Sequence, residues 1–241
     1  MKLRNKVIIM LTLVVVLASM QVFGAQEHYD EGASHFRAGD YNNAFSKFID
    51  AVAQDSEFVE ARYMAGLSAY RLNRYSTAQS HLEQAHKLDE NHYRVMTNLG
   101  RTYLAQDLNE EAANIAEKAI ESNSDLADAY SILARAQMRM NTLDEAVKNY
   151  KKALEINSDN YYTLNNLGFS YIQKGEYQEA VDVLEKAVAF EPEVSYIYNN
   201  LGIAYENLGQ LENAKQAYEM ALEINQDNQR AKTNLQRVKN N

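Results

Sequence analysis

A 34-residue period runs from residue 25 to residue 228 without one insertion or deletion. Segments that begin at Ala25, Val59, Tyr93, Ala127, Tyr161 and Ser195 align end to end. Position 20 of every segment is alanine (Ala44, Ala78, Ala112, Ala146, Ala180, Ala214), and so is position 27 (Ala51, Ala85, Ala119, Ala153, Ala187, Ala221). Position 8 is Gly32, Gly66, Gly100, Ala134, Gly168 and Gly202. A fixed period in this range describes a unit that cannot bury its apolar face alone and stacks on its neighbours instead. Such a chain has no single globular centre. It offers a long surface, so its pattern points to binding.

The period also places the helices. Each unit reads as a first helix over positions 2–14 and a second over about 17–30, followed by a turn rich in Asp, Ser or Asn, as at Asp55-Ser56, Ser158-Asp159 and Gln226-Asp227. At roughly 100° per residue, positions 4, 7, 8 and 11 of the first helix share one face. Leu164, Leu167, Gly168 and Tyr171 show it as a packing face, with the small residue at position 8 allowing close approach. Positions 2, 5, 6, 9, 12 and 13 fall on the opposite side. Residues 229–241 begin a further first helix, in which Ala231, Leu235 and Val238 cover the last unit while Lys232, Gln236 and Lys239 meet water.

Leu164-Asn-Asn-Leu-Gly-Phe-Ser-Tyr171, Gly175-Glu-Tyr-Gln-Glu-Ala180 and Leu184-Glu-Lys-Ala187, closing at Pro192, resemble the tetratricopeptide repeat. The resemblance covers six repeats (25–58, 59–92, 93–126, 127–160, 161–194 and 195–228), with 229–241 as a C-terminal capping helix. The family's first-helix Trp is absent, and its closing Pro occurs only at Pro192. The first repeat carries Glu31 and His35 where others have Leu or Tyr, which marks it as a cap. The resemblance implies an all-α, right-handed superhelical solenoid. It also implies that the face made by positions 2, 5, 6, 9, 12 and 13 lines a concave groove.

Ahead of the array, Lys2, Arg4 and Lys6 precede an apolar run from Val7 to Ala18, and Val22-Phe-Gly24 ends in residues acceptable before a cleavage site. This is the pattern of a secretory signal peptide over residues 1–24, cleaved after Gly24 or Ala25; an uncleaved anchor is the alternative. The expected location is periplasmic or secreted, with a membrane association only if the segment stays uncleaved. With no cysteine in the chain, lipid attachment and disulfides are both excluded.

The net charge is −9, and removing Lys2, Arg4 and Lys6 gives −9 − 3 = −12. That balance argues against nucleic acid as a partner. The groove positions run the other way. They hold Arg37, Arg71 and Arg139 at position 13, Arg101, Arg135 and Arg237 at position 9, and Arg94 and Arg230 at position 2. Against these eight stand only Asp30, Glu60, Asp128 and Glu206, a local balance of about +4. Arginine grips carboxylates with two parallel hydrogen bonds. Pairing with acids of neighbouring repeats, such as Arg94 with Glu60 or Asp128, is the structural alternative. Position 6 carries Asn98, Asn166, Asn200 and Asn234, whose amides can both donate to and accept from a peptide backbone. Aromatic residues interleave at Tyr29, Phe36, Tyr63, Tyr70, Tyr162, Phe169 and Tyr196.

Arg37, Tyr63, Tyr70, Arg71, Arg94, Asn98, Arg101, Arg135, Arg139, Tyr162, Asn166, Phe169 and Asn200 therefore form the expected peptide-binding groove. No nucleophile, phosphate loop or paired carboxylate suggests an enzyme, and no cofactor is expected. The histidines, His28, His35, His81, His86 and His92, lie in the first two repeats without metal-ligand spacing. The expected function is an exported scaffold that holds an extended, acidic or carboxylate-bearing segment. A structural subunit that assembles through its acidic convex face is the alternative.

Overall fold

A computed structural model describes residues 23–191 and 193–240. Residues 1–22, where the export signal is read, lie outside the described residues, as do Pro192 and Asn241. Among the described residues the fold is all-α. Helix α1 occupies residues 23–37. It is followed by α2 (Tyr41–Gln54), α3 (Val59–Arg71), α4 (Tyr75–Leu88), α5 (Tyr93–Ala105), α6 (Asn109–Ser122) and α7 (Ala127–Arg139). Then come α8 (Leu143–Ile156), α9 (Tyr161–Lys174), α10 (Tyr177–Phe190), α11 (Ser195–Asn207), α12 (Leu211–Ile224) and α13 (Gln229–Lys239). Odd-numbered helices are the first helices of repeats and even-numbered ones the second; α2 to α12 lie within a residue of the positions expected from the period, while α1 is already helical at residue 23, three residues before its expected start.

The chain divides into two compact units, residues 1–108 and 109–241, with the boundary between the two helices of the third repeat. Within each unit, contacts run between consecutive helices and between successive first helices, as α3 with α5, or α7 with α9, α9 with α11 and α11 with α13. That nearest-neighbour pattern is the one a repeat array requires.

Two kinds of turn recur. Position 15, between the helices of a hairpin, always has a positive φ: Gly39, Gly175 and Gly209 at 74–80°, and Asn73, Asp107 and Asn141 at 58–64°. Only glycine and short polar residues adopt this left-handed conformation readily. At the other turn the side chains of Asp55, Asp89, Asn123 and Asn225 accept a backbone N–H two residues on, at 2.9–3.1 Å. This ends α2, α4, α6 and α12 with a local bond instead of a further helical one.

The small residue at position 8 faces the side chain at position 24. A Cβ on Gly168 would meet Leu184 Cγ at 2.5 Å, and one on Gly66 would meet Leu82 Cγ at 2.7 Å. At Gly202 the neighbour is the ring of Tyr218, at 2.5 Å. Position 20 alanines are fully buried at the same crossing. Leu184 is wholly buried too, a burial that stabilises by about 1.5–3 kcal/mol.

The first repeat departs from the others on its packing face. Glu31 pairs with Lys47 at 2.6 Å and approaches His28 at 3.9 Å, while His35 meets Asp40 at 3.4 Å. These polar groups occupy the face that later repeats fill with leucine and tyrosine. Where the family has Trp, the second repeat has Arg62, whose guanidinium donates twice to the Ser56 carbonyl (2.7 and 2.9 Å) and also reaches Gln84. At the other end α13 docks through Ala231, Leu235 and Val238. Lys239 pairs with Glu219, and Arg237 grips Glu206 with two bonds of 2.7 Å.

Candidate functional site

The expected groove residues fall into two sets, one in each unit. Arg37, Tyr63, Tyr70, Arg71, Arg94, Asn98 and Arg101 belong to α1, α3 and α5 of the first unit. Arg135, Arg139, Tyr162, Asn166, Phe169 and Asn200 belong to α7, α9 and α11 of the second.

In the first unit much of the groove chemistry is spent within the fold. Tyr70 packs edge-on against Tyr75, with ring centres 5.4 Å apart, and Phe36 does the same with Tyr41 at 5.2 Å. Tyr63 lies 5.7 Å from His92 and is half-buried, and that burial raises its pKa against the opposing pull of Arg94 and Arg101. Asn98 donates to the Tyr63 hydroxyl at 3.0 Å and to the Arg94 carbonyl at 2.8 Å, and accepts from Arg101 at 3.1 Å. The Arg94 guanidinium sits 5.8 Å from the centre of the Tyr93 ring. Arg37 and Arg71 are exposed at the ends of their helices.

The second unit keeps its groove open. All six expected residues there surround one cleft of about 710 Å³, formed by α7, α9, α11 and α13. Arg135 and Arg139 stand on α7; Tyr162, Asn166 and Phe169 on α9; Asn200 on α11. Tyr196 and Arg230, both on groove positions, line it as well. No carboxylate is among its lining residues. Tyr162 and Tyr196 are 58% and 40% exposed, large for aromatic side chains. Tyr162 stacks on Tyr161 at 4.2 Å, and its hydroxyl interaction helps push the Tyr161 phenol up to about 12.

The asparagines have a role that position 6 alone did not reveal. Asn200 donates to Asn165 Oδ1 at 2.9 Å, and Asn234 donates to Asn199 Oδ1 at 3.0 Å, both across 35 residues. These two position 6 amides thus tie back to position 5 of the preceding repeat, Asn98 with Tyr63 repeats the arrangement, and Asn166 instead accepts from Asn165 of its own repeat at 3.4 Å. Position 5 is therefore not exposed as the helical wheel implies: Thr97, Asn165 and Asn199 are 4–7% exposed. The bond to the next repeat repays the burial of Asn165 and Asn199, which floor the groove, while the Thr97 hydroxyl donates to the Tyr93 carbonyl at 2.7 Å. Asn165 and Asn199 line the cleft together with Met138 and Asn228, and none of these four is among the residues expected from sequence. The clue was present as asparagine at spacings of 35 rather than 34. Asn228 also caps α13, accepting from Ala231 N at 3.1 Å, and donates to Ser195 Oγ at 2.8 Å.

Among the groove arginines, Arg237 follows the structural alternative and pairs with the groove acid Glu206. Arg135 and Arg230 have no carboxylate partner among the described residues. The described residues hold no group of three potential metal ligands, and no helix long and apolar enough to cross a membrane.

Tetratricopeptide repeat models match residues 29–85, 69–136, 136–173, 170–209 and 195–228, the last coinciding with the sixth repeat. The chain belongs to the tetratricopeptide repeat family. Several solved tetratricopeptide repeat structures share its fold. YrrB, described as a TPR protein with an unusual peptide-binding site, aligns with a TM-score of 0.62 and 19% identity over 77% of this chain and 96% of its own. MamA from Desulfovibrio magneticus RS-1 aligns at 0.65 and 20% identity, over 70% and 96%. The pilF protein of Pseudomonas aeruginosa aligns at 0.76 and 13% identity, over 91% and 98%. At these identities the likeness is one of fold. A search of curated protein sequences gives no match. The tetratricopeptide architecture is that of a protein-interaction scaffold, and the open cleft on α7, α9, α11 and α13 is where this member has room for a partner.

Proposed function

We propose that this tetratricopeptide protein holds an extended, acid-bearing peptide segment in the cleft of its second unit. The observation that carries the reading is a reversal of charge. A chain of net charge −9 lines this cleft with Arg135, Arg139 and Arg230 and no carboxylate. Exposed Tyr162 and Tyr196, beside Phe169, supply aromatic surface of the kind that anchors interfaces. The asparagine amides supply donors and acceptors for a peptide backbone. The peptide-binding site ascribed to YrrB supports the same use of the fold. The partner's acids pair with the arginines, and its apolar side chains rest on the tyrosines. The segment Lys2 to Gly24 carries the array out of the cytoplasm, so the partner belongs to the cell envelope or its exterior.

Fluorescence anisotropy with labelled peptides of about ten residues tests the binding reading, since an extended chain spans roughly 3.3 Å per residue. Glutamate-rich probes with a tyrosine-leucine centre should bind, and lysine-rich ones should not. Arg135→Glu should weaken the acidic probe, and added salt should do the same, because screening acts on accessible charges. Equal binding of acidic and basic probes would refute the reading. Amino-terminal sequencing of the protein from expressing cells tests export: the chain should begin near Ala25.

A further inference from the structure

The arginines of the open cleft stand at its two ends. Arg135 and Arg139 lie on α7 and Arg230 on α13, while the lining residues of α9 and α11 between them are all uncharged. The four helices form a row, with α7 packed on α9, α9 on α11 and α11 on α13. Within that row the cleft runs obliquely. It takes positions 9, 12 and 13 of α7, positions 2 to 9 of α9, positions 2 to 6 of α11, and only position 2 of α13 besides the capping Asn228. Its middle is aromatic. Phe169 lies on the wall, and burial, followed by the neighbouring Tyr162 phenol, raises the Tyr196 pKa, so the exposed rings of Tyr162 and Tyr196 adjoin across α9 and α11. Arg135 and Arg230 are both exposed, and neither has a carboxylate partner among the described residues.

Packed helices stand about 8–10 Å apart, so three steps put the α7 and α13 axes about 24–30 Å apart. An extended chain rises about 3.3 Å per residue and crosses that distance in about seven to nine residues. We infer that the partner segment carries two acidic side chains about eight residues apart, one held by Arg135 on α7 and the other by Arg230 on α13, with apolar side chains between them on Tyr162 and Tyr196. The inference rests on the groove reading above and adds a ligand pattern to it: acid, apolar centre, acid. A guanidinium grips a carboxylate with two parallel bonds, which makes each end selective for an acid over other polar side chains. A lone carboxylate, or acids clustered at one point, would satisfy one end and leave the opposite guanidinium unmatched.

The test uses labelled peptides of about twelve residues with a tyrosine-leucine centre and two glutamates about eight apart, and versions in which either glutamate or both are glutamine. Loss of either glutamate should weaken binding about fivefold, the upper end for a solvent-accessible ion pair, and loss of both about 25-fold. Arg230→Gln should erase the response to one glutamate and keep the response to the other, and Arg135→Gln should do the converse. A peptide with its two glutamates adjacent should bind like one with a single glutamate. Action of both arginine variants on the same glutamate would overturn the inference, and so would equal binding of adjacent and spaced glutamates. The groove reading would then survive, with the partner's acids gathered at one end. If neither variant changes the response to any glutamate, the groove reading itself falls.

Discussion

The crossing of Gly168 with Leu184 lends itself to a double-mutant cycle. In Gly168→Ala the new Cβ would lie 2.5 Å from Leu184 Cγ and 2.8 Å from its Cδ2. Cγ is not the free tip of the side chain, so the helices or the rotamer must give. Overpacking of this kind costs about 1–3 kcal/mol. Replacing a mid-helix glycine by alanine returns about 1 kcal/mol of helix propensity. The net expectation is a loss of about 0–2 kcal/mol. Leu184→Ala alone leaves a cavity at a fully buried site and should cost about 2–5 kcal/mol. In that background the added methyl meets no clash, so Gly168→Ala should become stabilising, by about 1 kcal/mol. The sign of one substitution therefore depends on the other, with a coupling of about 1–3 kcal/mol. The chain has no tryptophan, so urea unfolding is best followed by far-ultraviolet circular dichroism. Effects of the two substitutions that add within about 0.5 kcal/mol would show that positions 8 and 24 are not in contact.

Two further predictions concern pH. His81 packs edge-on to Phe45, its Nδ1 buried without a partner, and desolvation, aided by Arg62, lowers its pKa from 6.5. The unfolded chain then takes up a proton that the folded one resists, so stability present above pH 6.5 should decline as pH falls below it. His81→Phe should flatten that decline in melts recorded from neutral to mildly acidic pH. At the far end, the bond from Arg237 and the Tyr218 hydroxyl hold the Glu206 carboxyl below its usual 4.5. Its contribution should be complete above pH 4.5 and fade as acid protonates it, and Glu206→Gln should remove that loss from amide-exchange measurements on α13.

Most of the fold is legible in the period, because one register repeated six times averages away local ambiguity. Gly168 facing Leu184 and Glu31 turned to the ion pairs of the first repeat both follow from residue type at a fixed position. The groove is harder. A helical wheel places Asn165 and Tyr162 on one face, yet Asn165 is buried in the floor while Tyr162 is open. The difference comes from the neighbouring repeat, which no single helix encodes. Tyr70 shows the same limit: it lies on a groove position, but Tyr75 across the hairpin turn claims its ring. Tyr150 shows the limit at a core position, where residue type gives no hint that its buried hydroxyl lacks a partner.

The bond from Asn200 to Asn165 has a consequence for how such a chain can grow. Donor and acceptor occupy adjacent positions in one 34-residue module, so a copy of residues 161–194 would carry both halves of the joint. Asn166 of the copy would face Asn165 of the original, and Asn200 would meet the Asn165 of the copy. Duplication of this segment lengthens the array without opening a polar seam. Copying residues 127–160 would instead set Ile132 of the copy against Ser131 of the original, a seam with no amide to bridge it. The modules share a scaffold, but their ability to seed new neighbours is unequal.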